Sequence, residues 1–349
     1  MGKNKLSKKP FVSICTPTFN RRPFFPYIIK CFENQTYPKD KMEWIIIDDG
    51  TDKIEDLVAH IPQVKYFKYD EKLLLGKKRN LAHEKASGDI IISMDDDDYY
   101  PSTRVSHAVD MLRTNPKAMC AGSSEMHIYF KHIKQMYQFG PYGPNHATAA
   151  SFAFRKELLK ETRFEDNAAV AEETFFLKKY TVPFVQLDPL KTILVFSHNQ
   201  NSFDKKHLLE SPNQYMKVSD KKVEDFVKEA DLKQFFMEDI DPLLEKYEPG
   251  KPENKPDVIK QIDEIKTKRE EMMITHQKQQ MEYKDTINKL NQMYGLNQNQ
   301  NQINEMTVII QELTLENKLI KNKVKYLEDK VRQIIIDQIE KNKNNLKLY

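Results

Sequence analysis

The first two hundred residues alternate short apolar runs with amphipathic stretches. Phe11-Val12-Ser13-Ile14-Cys15-Thr16 reads as a strand, and a helix follows through Phe25, Ile28, Ile29 and Phe32. Trp44-Ile45-Ile46-Ile47 is apolar at every position, the pattern of a strand covered on both faces. Val64-Lys65-Tyr66-Phe67 and Ile90-Ile91-Ile92-Ser93-Met94 are the next strands. Between them, Leu81 to Ala86 reads as a helix stopped by Gly88. This alternation predicts an α/β fold with a mainly parallel sheet flanked by helices. Such sheets bind ligands beyond the carboxyl ends of their strands. Asp48-Asp49-Gly50 and Asp95-Asp96-Asp97-Asp98 both stand at predicted strand ends.

The pattern then loosens. Met126 to Phe139 reads as extended or hairpin, and Gly140-Pro141-Tyr142-Gly143-Pro144 as a loop. Ser151 to Leu159 and Glu172 to Tyr180 are expected to be helices, and Thr192 to Phe196 a strand. Residues 204–250 mix helical period with charge, and Glu248-Pro249-Gly250-Lys251-Pro252 has linker composition. A heptad follows the Asn/Gln-rich stretch Asn297 to Gln302. Ile303, Ile310, Asn317, Val324 and Val331 take one core position; Met306, Leu313, Ile320, Leu327 and Ile334 take the other. A single core Asn among β-branched residues favours a parallel two-stranded coiled coil, so residues 303–340 are expected to form a homodimer. A broken version of the pattern precedes it, through Val258, Ile262, Ile265, Met272, Tyr283 and Leu290. The expected organisation is a basic tail (1–10), an α/β domain (11–203), a helical extension (204–250), then linker and coiled coil (251–349).

Composition narrows the class. Of 349 residues, 39% are hydrophobic and 31% charged, so there is material for one real core but not for a core throughout. The 55 basic and 52 acidic residues leave a net charge of +3, which makes no general case for nucleic-acid binding. No apolar run is long enough to span a bilayer, and the Lys-rich start lacks the apolar stretch of a signal peptide. Cys15, Cys31 and Cys120 sit in apolar contexts and read as buried thiols of a reducing compartment. A cytoplasmic location is therefore expected.

The acidic run carries the chemistry. Four carboxylates at a strand end repel one another and call for positive charge. A divalent cation on hard oxygen ligands, there to hold a phosphate-bearing substrate, answers that need. A solvated acidic loop is the alternative. The EF-hand pattern is missing, and so are the glycine-rich phosphate loops: Pro17-Thr18-Phe19-Asn20-Arg21-Arg22 after the first strand contains no glycine.

Five ordered segments resemble the motifs of family 2 glycosyltransferases with the GT-A fold. They are Thr16-Pro17-Thr18-Phe19-Asn20-Arg21, Ile47-Asp48-Asp49-Gly50-Thr51, Gly76-Lys77-Lys78-Arg79-Asn80, Ala86-Ser87-Gly88-Asp89 and Met94-Asp95-Asp96-Asp97-Asp98. The resemblance covers roughly residues 11–203 and implies a Rossmann-like mixed sheet flanked by helices. The Lys-, Asn- and Ile-rich composition also resembles glycosyltransferases of large DNA viruses, which would place the chain in host cytoplasm or a virion. The resemblance implies a nucleotide-sugar donor, a UDP-sugar, with Mn²⁺ or Mg²⁺. Asp48 would accept the uracil N3–H, near Thr16 and Thr18. Arg79 would contact base or phosphates. Asp95 would meet ribose or a metal-bound water, and Asp97 the metal. Ala171-Glu172-Glu173-Thr174 matches the position of the family's Glu-Asp motif, which makes Glu173 the base of an inverting transfer and Glu172 its neighbour. The departure from Asp to Glu lengthens that side chain by one methylene. His198, in Phe196-Ser197-His198-Asn199-Gln200-Asn201-Ser202, would approach metal or diphosphate. Asp98 and His146 are candidates for the acceptor side, the acceptor being a glycan, lipid or protein. Two rival readings are a coiled-coil scaffold with a non-catalytic GT-A domain and a sugar nucleotidyltransferase.

Overall fold

The computed structural model describes residues 9–170, 172–201, 204–210, 213–294 and 309. The chain divides into two compact units, Met1–Ile265 and Lys266–Tyr349. The first contains strands β1 (Val12–Thr18), β2 (Met42–Asp48), β3 (Val64–Lys68), β4 (Ile90–Ser93), β5 (Cys120–Gly122), β6 (Met126–Phe130), β7 (Gln135–Phe139), β8 (Ala153–Arg155), β9 (Phe184–Gln186), β10 (Val195–Ser197) and β11 (Met216–Val218). Its helices are α1 (Phe25–Glu33), α2 (Glu55–Val58), α3 (Leu75–Lys85), α4 (Arg104–Thr114), α5 (Glu173–Phe176), α6 (His207–Glu210), α7 (Val223–Phe226), α8 (Ala230–Gln234) and α9 (Ile240–Glu245). Helix α10 (Pro256–Tyr294) begins in this unit. The heptad of residues 303–340 and the first eight residues lie outside the described residues.

The main sheet has seven strands in the order β3-β2-β1-β4-β8-β5-β9. The first four are parallel, β8 runs antiparallel to both β4 and β5, and β9 is parallel to β5. This is the mixed α/β sheet the sequence predicts, with helices packed on it. β1 and β2 are buried at every position, which explains the unbroken apolar run Trp44–Ile47 in β2. Trp44 stacks on Phe32 at 4.8 Å and donates from Nε1 to Thr16 Oγ1 at 2.8 Å. That hydroxyl donates to the Met94 carbonyl at 2.7 Å, so a buried relay ties β2 and β1 to the chain leaving β4. The register sets Thr18 opposite Asp48 and Cys15 opposite Ser93. The ends of β1, β2 and β4 therefore share one edge. A second sheet, β10-β6-β7-β11, carries the later segments. All three cysteines are buried and free.

Four segments differ from expectation. Ser151 to Leu159 is not a helix: β8 takes Ala153–Arg155 and a 3₁₀ turn takes Lys156–Lys160. Its apolar run is that of a central strand between β4 and β5, where both faces are covered. The helix expected over Glu172 to Tyr180 stops at Phe176, because Lys178, Lys179 and Tyr180 all adopt left-handed φ (51°, 55° and 63°). The strand expected over Thr192 to Phe196 is confined to Val195–Ser197. The stretch with linker composition folds as two 3₁₀ turns, Glu248–Gly250 and Pro252–Asn254, inside the first unit. Asn20 Nδ2 donates to the Pro249 carbonyl at 2.9 Å, and Gln200 Nε2 to the Leu244 and Tyr247 carbonyls, both at 2.8 Å. A Cβ on Gly250 would stand 2.1 Å from Gln200 Oε1, so glycine is what lets this strap lie so close.

Candidate active site

The shared strand edge opens into a cavity of about 280 Å³. Asp95, Asp96, Asp97 and Asp98 line one part of it, with Pro17, Phe19 and Arg21 from the end of β1. Lys72 and Lys78 line it from the α3 side, and Lys205, Lys255 and Asp257 from the later chain. Five basic and five acidic side chains thus face one space.

Arg79, on α3, organises the site. Its Nη1 and Nη2 donate to the two oxygens of Asp95 at 3.1 and 3.2 Å, and its Nε donates to Glu172 Oε1 at 2.8 Å. Burial works against its charge, but Asp95 and Glu172 outweigh burial and hold it protonated. One buried guanidinium therefore joins the acid run after β4 to the acids at the start of α5. These motifs are 77 residues apart in sequence, from Asp95 to Glu172.

Glu173 follows Glu172 as the first residue of α5 and is half-buried. Burial and the neighbouring Glu172 charge push its carboxyl up to about 7, against a smaller opposing effect of Arg79. A carboxylate in that range can take a proton near neutral pH.

At the other end of the run, Asp97 meets Arg21 Nη2 at 3.4 Å and His198 Nε2 at 3.3 Å. Burial alone would raise the Asp97 pKa. The His198 hydrogen bond and the Arg21 charge reverse that and hold it well below the usual carboxylate range. His198 is neutral, because burial lowers it to about 3 against the pull of Asp97. Its ring nitrogens face N–H groups on both sides, Gln200 N at 3.2 Å from Nδ1 and Asn201 Nδ2 at 2.8 Å from Nε2. A neutral imidazole has one lone pair, so only one of these bonds can form. The bond to Asp97 needs the proton on Nε2 and leaves the lone pair on Nδ1, facing Gln200 N; a divalent cation held by both Asp97 and His198 would take the place of that Nε2 proton. Among the described residues no three His, Cys, Asp or Glu side chains form a closed cage. A Mg²⁺-type ion needs none, since one or two protein ligands plus substrate phosphates suffice.

Asp96 lies 3.7 Å from Arg21 Nε, and burial pushes its carboxyl up to about 7. Asp98 is buried, its Oδ1 has no hydrogen-bond partner among the described residues, and burial with the Asp97 charge pushes it far up. It forms part of the cavity wall.

Of the predicted residues, Asp95, Asp97 and Asp98 line the cavity; Arg79, Glu172, Glu173 and His198 do not, and neither do the rest. Thr16 is spent on the buried relay, and Thr18 closes β1. The sequence favours Asp49 as the turn residue before Gly50, but Asp48 makes those bonds: it accepts from Gly50 N at 2.8 Å, Ile54 N at 3.1 Å and Tyr66 Oη at 2.6 Å. Three of its roughly four acceptor sites are filled, leaving room for one more donor. Asp49 instead pairs with Lys78 at 2.8 Å. His146 lies between Tyr142 (4.8 Å) and Tyr180 (5.0 Å), in an aromatic row that Tyr215 extends from Tyr142 at 5.1 Å. Sequence reasoning missed the cations Lys72, Lys78, Lys205 and Lys255. Arg21 and Lys78 lay within quoted motifs, but nothing in the pattern around Lys255 signalled a site.

Comparison with known proteins adds the family. Residues 13–167 match the model of glycosyl transferase family 2. This segment, less than half of the chain, is similar to family 2 glycosyltransferase domains. It carries the β1, β2 and β4 edges and the Asp run; Glu172, Glu173, His198 and Lys255 lie beyond the matched residues. An uncharacterized glycosyltransferase of Haemophilus influenzae is 30% identical over 119 residues, 33% of this chain and 47% of that one. The poly(ribitol-phosphate) β-N-acetylglucosaminyltransferase TarS of Staphylococcus aureus is 29% identical over 100 residues, 25% of this chain and 16% of that one. The chain thus spans less than half the length of these relatives. Among solved structures, the Pyrobaculum calidifontis mannosyltransferase PcManGT, in complex with GDP-Man and Mn²⁺, overlaps 52% of this chain and 55% of its own at 18% identity (TM-score 0.43). S. aureus TarS in complex with UDP-GlcNAc overlaps 53% and 58% at 19% identity (TM-score 0.42). Among the described residues no helix is long and apolar enough to cross a membrane.

Proposed function

We propose that this chain is a metal-dependent glycosyltransferase that moves a sugar from a UDP-sugar to an acceptor hydroxyl with inversion. The observation that carries the reading is the Arg79 bridge, which couples Asp95 at the donor edge to Glu172, next to Glu173. Asp97 and His198 would hold Mn²⁺ or Mg²⁺, and the ion would neutralise the departing diphosphate. Asp48 has acceptor capacity left for a base N–H. Asp95 is fixed by Arg79 and faces the cavity, where a ribose hydroxyl could reach it.

Glu173 is the base. It takes the acceptor proton as the acceptor oxygen attacks the anomeric carbon and the bond to the diphosphate oxygen breaks on the opposite face. Its proton affinity near neutrality supports this role, and Glu172 cannot share it while ion-paired to Arg79. The extra methylene of Glu relative to Asp is accommodated by placing the residue at the first turn of a short helix. The acceptor is a glycan, lipid or protein reached from the side of His146 and Asp98, and residues 303–340 pair two chains.

The test is UDP release from a set of UDP-sugars with Mn²⁺, with water or a pool of acceptors, followed by the anomeric configuration of the product. The expected result is release by the wild type, an inverted product, and loss of release in Glu173→Gln and Asp97→Ala with the fold kept. A folded wild-type chain that releases UDP from no donor overturns the reading in favour of a non-catalytic scaffold. Consumption of UTP and sugar phosphate instead would identify a nucleotidyltransferase.

A further inference from the structure

The strap that follows the second sheet contributes to the cavity itself. Lys255, between the turn Pro252–Asn254 and the start of α10, is only 4% exposed, yet it lines the same cavity as the four aspartates. Its Nζ lies 3.4 Å from the Gln200 carbonyl, which also accepts from Arg21 Nη2 at 2.8 Å. Asp257, two residues on, pairs with Lys72 across the cavity mouth. The strap is held on both flanks: by Asn20 and Gln200 before Lys255, and by Gln261 after it, which accepts from Ala169 N at 2.7 Å and donates to the Asn167 carbonyl at 2.6 Å.

A buried ammonium is costly unless it meets a negative charge. Lys255 lines the cavity together with the aspartates and shares the Gln200 carbonyl with Arg21, so the strap adds a basic side chain to that wall. A nucleoside diphosphate brings further negative charge into a space that already holds the acid run, and basic side chains beside a divalent ion are what can meet it. The lysine is thus built into the place where the phosphates would lie.

We propose that Lys255 is a diphosphate-binding residue of the donor site, delivered by the strap at residues 248–258. This rests on the donor-site reading above and makes the strap part of the binding site. The ammonium donates hydrogen bonds to phosphate oxygens; no bond is made or broken by it. Burial and the Arg21 charge lower the Lys255 pKa to about 6, so bound phosphate would also restore its proton.

The full-length chain is titrated with UDP, inorganic pyrophosphate and uridine in Mn²⁺ buffer, with binding followed by ligand-observed NMR. Lys255→Met is expected to weaken UDP and pyrophosphate by about ten- to a hundredfold, the loss of one charge-assisted hydrogen bond. Uridine affinity stays the same, and Lys255→Arg recovers part of the UDP affinity. Gly250→Val, which lifts the strap without touching its charge, should weaken UDP in the same selective way. Unchanged UDP binding in Lys255→Met overturns the assignment. So does an equal loss for UDP and uridine, which would mean a packing role. A wild type that binds neither UDP nor pyrophosphate overturns the donor-site reading itself and this assignment with it.

Discussion

The two halves of the site are made differently. The donor half stands on β1, β2 and β4, three adjacent parallel strands whose ends align by register and whose interiors are buried throughout. Its chemistry is charge: acids and cations locked by short ion pairs. The proposed acceptor half stands on the four-residue helix α5, the left-handed turn at 178–180 and the loop around Tyr142. Its surface is aromatic, and Tyr142 is 40% exposed. A rigid, charged half suits a ligand that always carries the same diphosphate. An open, aromatic half suits an acceptor whose identity varies between enzymes. Buried Arg79 bonds to both, through Asp95 and Glu172.

Removing charge from the donor half should have the largest effect. Asp97→Ala removes a cation ligand and is expected to cut turnover on the order of a thousandfold or more, with Mn²⁺ dependence lost. Steady-state rates across a Mn²⁺ titration check this, and a variant that keeps the wild-type metal response would move the ion elsewhere. Glu173→Gln acts on the acceptor side of the bridge. Its expected loss is about a hundred- to a ten-thousandfold in kcat with donor affinity unchanged. Donor Kd and kcat measured on the same preparation separate the two halves.

The wild-type pH profile sharpens the same point. The base must be deprotonated to work, and the Glu173 carboxyl is raised to about 7, so kcat should climb as pH rises through 7. A profile already flat at pH 5.5 would contradict the assignment of Glu173.

Arg79→Ala cuts the bridge itself. It leaves Asp95 and the buried Glu172 without their cation, with an expected cost of about 3 to 5 kcal/mol in stability. Chemical denaturation measures it, and a midpoint equal to wild type would show that the bridge does not hold the halves together. The smallest effect belongs to the aromatic row. Tyr142→Ala should raise acceptor KM by up to about tenfold, an aromatic contact of about 0.5 to 1.5 kcal/mol, and leave donor affinity alone.

The same contrast explains what the chain's pattern disclosed. The donor half was legible because a buried parallel strand forces a continuous apolar run, and an acid cluster after such a run marks the strand's end. Ile90 to Asp98 shows both. The acceptor half was not. β8 is three residues long, so the strand alternation of Phe152 and Phe154 is too short to stand out from the 3₁₀ turn that follows with Leu158. Nothing in Lys178-Lys179-Tyr180 announces three left-handed residues; the turn is held by tertiary bonds, Tyr180 Oη to Thr174 Oγ1 at 3.0 Å and Asn145 Nδ2 to the Tyr180 carbonyl at 3.2 Å. The roles of Asp48 and Asp49 were exchanged for a similar reason. The pairing of Asp49 with Lys78 depends on where α3 docks, which local pattern does not encode. Lys255 reaches the site only because the strap folds back onto Asn20 and Gln200, residues distant in sequence.

The most direct measurement is calorimetric titration of the folded chain with UDP-, GDP- and CMP-linked sugars, with and without Mn²⁺. Binding of a UDP-sugar that requires Mn²⁺, and that disappears in Asp97→Ala, is the predicted result. A folded chain that binds none of the three donor classes under either condition would contradict a donor site at the ends of β1, β2 and β4.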